Sequence, residues 1–237
     1  MKNLLLLLVI LTSLLFSCTS ENIESSSINL VEEKSKNTAK LLQNLSPENP
    51  ANAYDIAGKI HNDLLDVYLS CNYTFSTIPE ISQKVDSISA LNNDLLILGT
   101  NLPVNFQEIQ EIVDDPQTKL EQAITNSSMT NAAKICLSNY MASLLLWDTN
   151  EYPIIHQSII SFEASILANT QFTSEDKRII LTTSSIVRYS TYYAKERKDK
   201  DWETSVGNRV GAVQGAVANS STAVNKSIVT GLLIHNL

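Results

Sequence analysis

The stretch AYDIAGKIHNDLLDVYLSC, residues 53–71, decides the fold. Ile56, Ile60, Leu64 and Val67 recur at intervals of four and three, and Ala57, Leu65 and Tyr68 widen the same stripe. An α-helix turns once in about 3.6 residues, so this spacing collects the apolar side chains on one face. The breaker SPENPANAY, with Pro47 and Pro50, precedes it, which places the helix from about Ala53 to Cys71.

Moving outward toward the C-terminus, the same period returns in segment after segment. Thr77-Ile-Pro-Glu80 has the form of a capping box and opens a helix carrying Ile81, Val85, Ile88, Leu91, Leu95 and Leu98 inward, up to Gly99. Pro103 begins a shorter helix through Phe106, Ile109 and Ile112, stopped by Asp114-Asp115-Pro116, and residues 117–125 add another. Thr130 or Asn131 caps the next, faced by Ile135, Cys136, Tyr140, Leu144 and Trp147. Pro153 stands in the first turn of one faced by Ile155, Ile159, Phe162 and Ile166, and Thr173-Ser-Glu-Asp176 opens a long one through Ile179, Ile180, Ile186, Tyr189 and Tyr193. Apolar and polar residues nowhere alternate strictly over more than five positions, and only six glycines serve 237 residues. The expected fold is all-α: a helical bundle of about six to eight antiparallel helices joined by short connections, ending in a Gly-spaced C-terminal helix.

Charge and motifs narrow the function. Seventeen Lys and Arg against 25 Asp and Glu give a net charge of −8, so the chain has no basic footprint for a phosphate backbone, and nucleic acid is excluded as an expected partner. His61, His156 and His235 have no companion at a metal-ligand spacing, and HExxH, paired Cys at zinc spacing, GxSxG and a phosphate loop are all missing from the sequence. The expectation is therefore no metal and no cofactor. An enzyme whose acids and bases assemble from distant segments stays open.

At the other end, Met-Lys-Asn is followed by an apolar run from Leu4 to Phe16. Such a helix rises about 20 Å, short of the ~30 Å hydrocarbon core, and so reads as a signal peptide over residues 1–17. Leu15-Phe16-Ser17-Cys18 resembles the lipobox of bacterial lipoproteins. That resemblance implies cleavage before Cys18 and acylation of its thiol, with two or three acyl chains holding the protein to the membrane. Residues 18–27 then form the lipidated Cys and a polar tether, and Thr19, in place of the Asp associated with inner-membrane retention, implies the outer membrane, either leaflet. A helical domain over 28–203, beginning in a weak helix up to Leu45, and a Gly/Ala-rich segment over 204–237 complete the expected organisation.

The order Asn49-Pro50, Tyr54-Asp55, Gly58, His61-Asn62 resembles a stretch found in envelope lipoproteins of the Bacteroidota, flavobacteria above all, and that resemblance brings no activity with it. Asp55, Gly58, His61 and Asn62 fall on neighbouring turns of one helix. Two readings stand: a patch that binds a polar ligand or supplies acid–base groups, or a helix crossing at Gly58 with His61 and Asn62 tying down a neighbouring segment. Arg188 to Trp202 interleaves aromatics with five cations, and Glu196, Asp199, Asp201 and Glu203 offset these; it reads as a solvated helix end with tyrosines packed inward. Asp114-Asp115 lacks the alternating oxygens of a calcium loop and reads as a helix stop.

Cys71 and Cys136 either pair in an oxidising envelope or remain two thiols. Gly207, Gly211 and Gly215 stand four apart, which costs a helix about 1 kcal/mol each against Ala unless something packs closely on that stripe. Its partner is either this chain's own bundle or another envelope protein or second copy. Taken together, these features predict a lipid-anchored binding or adaptor module; the alternative is an envelope hydrolase with a dispersed site including His61 and Asp55.

Overall fold

Asn49 and Asn52 bend the chain into the first helix. The Asn49 Oδ1 accepts from the Ala51 amide at 3.2 Å and the Asn52 Oδ1 from the Tyr54 amide at 2.9 Å, the side-chain turns expected of Asn beside Pro50. The computed structural model describes residues 45–71, 73–147, 149–196 and 206–235. The leader, Cys18, the tether and most of the weak N-terminal helix lie outside the described residues.

The described residues form nine α-helices and one 3-10 helix: α1 Asp55–Ser70, α2 Ile78–Ser89, η1 Asn93–Leu98, α3 Phe106–Asp114, α4 Pro116–Asn126, α5 Asn131–Trp147, α6 Tyr152–Ala168, α7 Ser174–Glu196, α8 Val206–Ala218 and α9 Ser220–His235. No strand occurs among the described residues. The all-α bundle is as expected; the number of helices is higher than six to eight, because the sequence breaks its segments more often than its periodicity reveals. Helix α2 stops at Ser89, and Asn92 caps η1 by accepting from the Asp94 and Leu95 amides. That break turns Leu91 outward, 85% exposed, where unbroken periodicity expected it in the core. Val67 and Ile135 also lie outside the core, which is built instead from Ile60, Leu64, Leu65, Leu137 and Leu144 beside them.

Helix starts follow their capping chemistry. Glu80 accepts from the Thr77 amide and hydroxyl, and Asp115 accepts from the Thr118 amide, so Asp115 caps α4 while Asp114 ends α3 and accepts from Gln110. Asp176 does more than cap its own helix: it accepts from the Thr173 amide at 2.9 Å and also from the amide and hydroxyl of Thr130, joining the starts of α7 and α5.

The C-terminal segment forms the centre of the fold. Residues 46–237 group as one compact unit, so the boundary expected at residue 203 separates nothing. Helix α9 is buried on all sides from Ser220 to Leu233, as is α7 from Ile179 to Thr191. Both are rich in Ser, Thr and Asn, and several of these side chains make hydrogen bonds between helices: Thr182 to Ser220 at 2.7 Å, Ser89 to Asn225 at 2.8 Å, and Ser227 to the Asn208 carbonyl at 3.0 Å. Lys226 reaches out of α9 to Glu108 of α3 at 2.7 Å and Gln214 of α8 at 3.1 Å. Buried polar groups are tolerated where such partners replace water.

The glycine stripe faces α9 of the same chain. A Cβ at Gly215 would lie 2.4 Å from the Ala223 Cα, and one at Gly211 would lie 2.8 Å from the Lys226 carbonyl oxygen. At Gly207 the neighbour is Ile234. The pairing runs in opposite directions along α8 and α9, an antiparallel hairpin turned at Asn219, whose Oδ1 accepts from the Thr222 amide. This stripe is thus a closed helix contact inside the chain, and the surface expected for Gly207, Gly211 and Gly215 as an interaction site is already covered.

Cys71 caps the C-terminal end of α1 and is exposed; Cys136 is half-buried on α5. Both are free thiols. The disulfide considered from composition is not formed; α1, which Cys71 ends, packs chiefly on α7, α9 and α2, whereas Cys136 stands on α5.

Candidate functional site

Helix α6 carries Tyr152, His156, Ile159, Glu163 and Ile166 at intervals of four, three, four and three, which puts a carboxylate on the apolar stripe itself. Opposite it α7 presents Ser184 and Arg188. The Glu163 Oε1 accepts from Ser184 at 2.9 Å and from the Nη2 of Arg188 at 3.3 Å, while its Oε2 accepts from the Asn49 amide group at 2.5 Å. Arg188 Nη2 also donates to Asp55 Oδ1 of α1 at 2.5 Å, and the Tyr189 hydroxyl donates to Asp55 Oδ2 at 3.1 Å. Arg188 and Glu163 are wholly withdrawn from water; Asp55 is 19% exposed.

One cation is thus shared by two carboxylates from two other helices. Burial opposes the Arg188 charge, but the fields of Glu163 and Asp55 outweigh it and leave the guanidinium more firmly protonated than usual. The same cation sits among aromatics. Burial pushes the Tyr152 hydroxyl well above its ordinary pKa, with Arg188 opposing, and burial together with the Arg188 charge holds His156 down at about 4. Tyr152 lies with its ring 5.5 Å from that of His156 and 5.3 Å from that of Tyr192. Arg188, which in the sequence reads as part of a solvated cationic run, is among the most deeply buried side chains of the protein.

The four residues singled out on α1 divide between two networks. Gly58 is a helix crossing: a Cβ there would lie 2.4 Å from the Tyr189 ring and 2.5 Å from the Ser185 carbonyl oxygen. Its amide donates to the Ser185 hydroxyl, which donates to the Asp55 carbonyl, so α1 and α7 run side by side in the same direction around this point. That parallel pair departs from a wholly antiparallel bundle. His61, fully buried, has Nδ1 3.0 Å from the Asn62 Oδ1 and Nε2 3.1 Å from the Asn208 Nδ2. Asn62 Nδ2 donates to the Tyr189 carbonyl and Asn208 Nδ2 also donates to the Ser227 carbonyl. These amide directions assign the proton of a neutral His61 to Nδ1. Burial lowers its pKa to about 4.

Asp55 and His61 therefore do not meet. Asp55 belongs to the ion network with Arg188 and Tyr189, and His61 to a neutral chain of amides linking α1, α7, α8 and α9. Both His61 ring nitrogens are occupied within the protein. Among the described residues no group of three or more His, Cys, Asp or Glu could hold a metal ion. No described helix is long and apolar enough to cross a membrane.

Concave surface lies elsewhere. Two open grooves of about 540 and 590 Å3 meet at Pro79 and Phe106, between α2 and α3. A smaller, more enclosed cavity of about 240 Å3 opens between α4, α5 and the start of α8. Sequence reasoning found the helix crossing but missed Glu163, although a charge at position 163, four after Ile159 and three before Ile166, is visible in the apolar stripe. It also missed the cavity, whose lining comes from three separate segments.

The molecule these features define is an all-α bundle wrapped around polar, buried helices, in which the buried Glu163, Asp176, Arg188 and Lys226 tie one helix to another. Comparison of the chain with protein-family models, curated proteins and solved structures finds no match.

Proposed function

We propose that this protein is a lipid-anchored binding module of the cell envelope, attached through Cys18 and acting without chemistry of its own. The anchor rests on the lipobox sequence Leu15-Phe16-Ser17-Cys18 directly after the apolar run. The observation that carries the non-enzymatic reading is the pairing of His61: with Nδ1 on Asn62 and Nε2 on Asn208, neither nitrogen is left to take a substrate proton. Asp55, the other group a dispersed hydrolase would use, is tied to Arg188 through one oxygen and to the Tyr189 hydroxyl through the other. A rigid helical body with enclosed and open concavities supports binding instead.

Two measurements test the two halves. Metabolic labelling with a fatty-acid analogue should mark the native chain and fail in Cys18→Ser; labelling that persists in the variant rules out the anchor. Hydrolase screening of the purified full chain should give no turnover that His61→Gln abolishes. A turnover lost in that folded variant would return the protein to the enzymes.

A further inference from the structure

Exposed apolar side chains gather on the segment between α2 and α3. Leu91, Leu96 and Ile97 are 85%, 74% and 74% exposed, and Leu102 is 45% exposed. Asp94 is the one charged residue in the sequence from 91 to 104, so the segment offers water little in return. Large apolar groups left together on a surface mark a contact with a protein or a lipid.

Hydrogen bonds fix where this segment sits. Asn219, at the turn between α8 and α9, donates to the Thr100 carbonyl at 3.0 Å, and the Leu102 amide donates to the Thr222 hydroxyl at 3.2 Å. Ser220, next in the chain to Asn219, meets Thr182 of α7 at 2.7 Å, and the neighbouring Leu181 carbonyl accepts from Asn52 at 3.0 Å. Asn52 closes the stretch from Ser46 by which the chain enters the bundle, the part of the bundle nearest in sequence to Cys18. The apolar segment and the entry of the chain therefore share one end of the bundle. Another exposed apolar residue, Ile154 of α6, belongs to the opposite end. It stands two residues after Tyr152, whose ring lies 5.3 Å from that of Tyr192, and Tyr192 is about 15 Å along α7 from Thr182.

We infer that Leu91, Leu96, Ile97 and Leu102 enter the surface layer of the bilayer to which Cys18 is anchored, so that the bundle stands on the membrane by its entry end. This inference rests on the anchor of the proposed function: of the apolar surfaces, the one at the chain's entry is the one that an acylated Cys18 brings to lipid first. No described helix is long and apolar enough to cross a membrane, which confines the contact to the interface. With Asp94 its sole charge, the segment has no attraction for anionic headgroups, and the contact is independent of salt.

The test places the full chain, isolated from membranes, in phosphatidylcholine nanodiscs with and without bromine on the acyl chains, and reads tryptophan emission above that of the native Trp147 and Trp202. Bromine quenches only indoles that reach the acyl region. The emission added by Ile97→Trp should fall about twofold or more in brominated lipid, in high salt as in low, and that added by Ile154→Trp should not fall. Leu96→Asp, at an exposed position, should restore the emission of Ile97→Trp with unchanged helicity. Equal emission of Ile97→Trp in the two lipids, or equal quenching of Ile97→Trp and Ile154→Trp, would overturn the inference; blue-shifted but unquenched emission would overturn it in favour of a second copy of the chain. The mass of the intact chain reports acylation separately. An acylated chain without quenching loses this contact and keeps the anchor, whereas a chain without acyl groups on Cys18 loses the anchor whatever the quenching.

Discussion

Arg188 of α7 and Glu163 of α6 face each other at 3.3 Å, and neither side chain touches solvent. Charges taken out of water at such cost are held by mutual attraction and by the added bonds from Asn49, Ser184 and Asp55. Removing one partner strands the other. Glu163→Leu should therefore cost about 3–5 kcal/mol in urea denaturation. The double variant Glu163→Leu/Arg188→Met should cost clearly less than the sum of the two single changes, since it leaves no stranded buried charge between them. Additive losses would show that the pair is not coupled.

His61 makes stability depend on pH. Its pKa is about 4 in the folded protein against about 6.5 in an unfolded chain, so on acidification the unfolded state takes up a proton first. The stabilising contribution is complete above pH 6.5 and declines as pH falls toward 4. Between pH 7 and pH 5 this one group should remove about 2 kcal/mol. His156, also held at about 4, acts in the same direction. Urea midpoints of the native chain and His61→Gln at the two pH values give the measurement, and the variant should show the smaller drop.

The closed glycine stripe predicts a gradient of tolerance along α8. Gly215→Ala drives a methyl against the backbone of Ala223, where nothing flexible can yield, and should cost about 1–3 kcal/mol or more. At Gly207 the obstacle is the end of the Ile234 side chain, which can rotate. Gly207→Ala should therefore be the milder change in thermal denaturation, and the opposite order would contradict the α8–α9 packing.

Thiol titration separates the two cysteines. Cys71 is exposed and should react quickly with a disulfide reagent in the folded protein. Cys136 is half-buried and burial raises its thiol pKa, so it should react more slowly and catch up on unfolding. A native protein with neither thiol reactive before reduction would contradict the free pair.

Much of the helical architecture is legible residue by residue. The 56/60/64 spacing of α1, the Thr77/Glu80 box and the Thr173/Asp176 start are consequences of local backbone geometry, and the structure has all three. Leu91 shows where such reading runs out: the period of α2 continues on paper through a residue that the Asn92 cap turns into solvent. The candidate site on α1 was legible as a crossing at Gly58, but its four residues could not be divided between their networks, because Arg188 and Asn208, which divide them, lie over a hundred positions away.

By itself, then, the sequence determined that this chain is helical and acidic and that it carries a stretch, Leu15-Phe16-Ser17-Cys18, resembling a lipobox, since periodicity, charge and a short motif are local properties. Tertiary structure alone decided that the polar helices α7 and α9 form the interior, that the glycine stripe closes on its own chain, and that Glu163 is a buried counter-ion and not a surface acid. The physical reason is that a polar group can be buried only when distant segments supply its partners, and a one-dimensional pattern does not contain the distance between those segments.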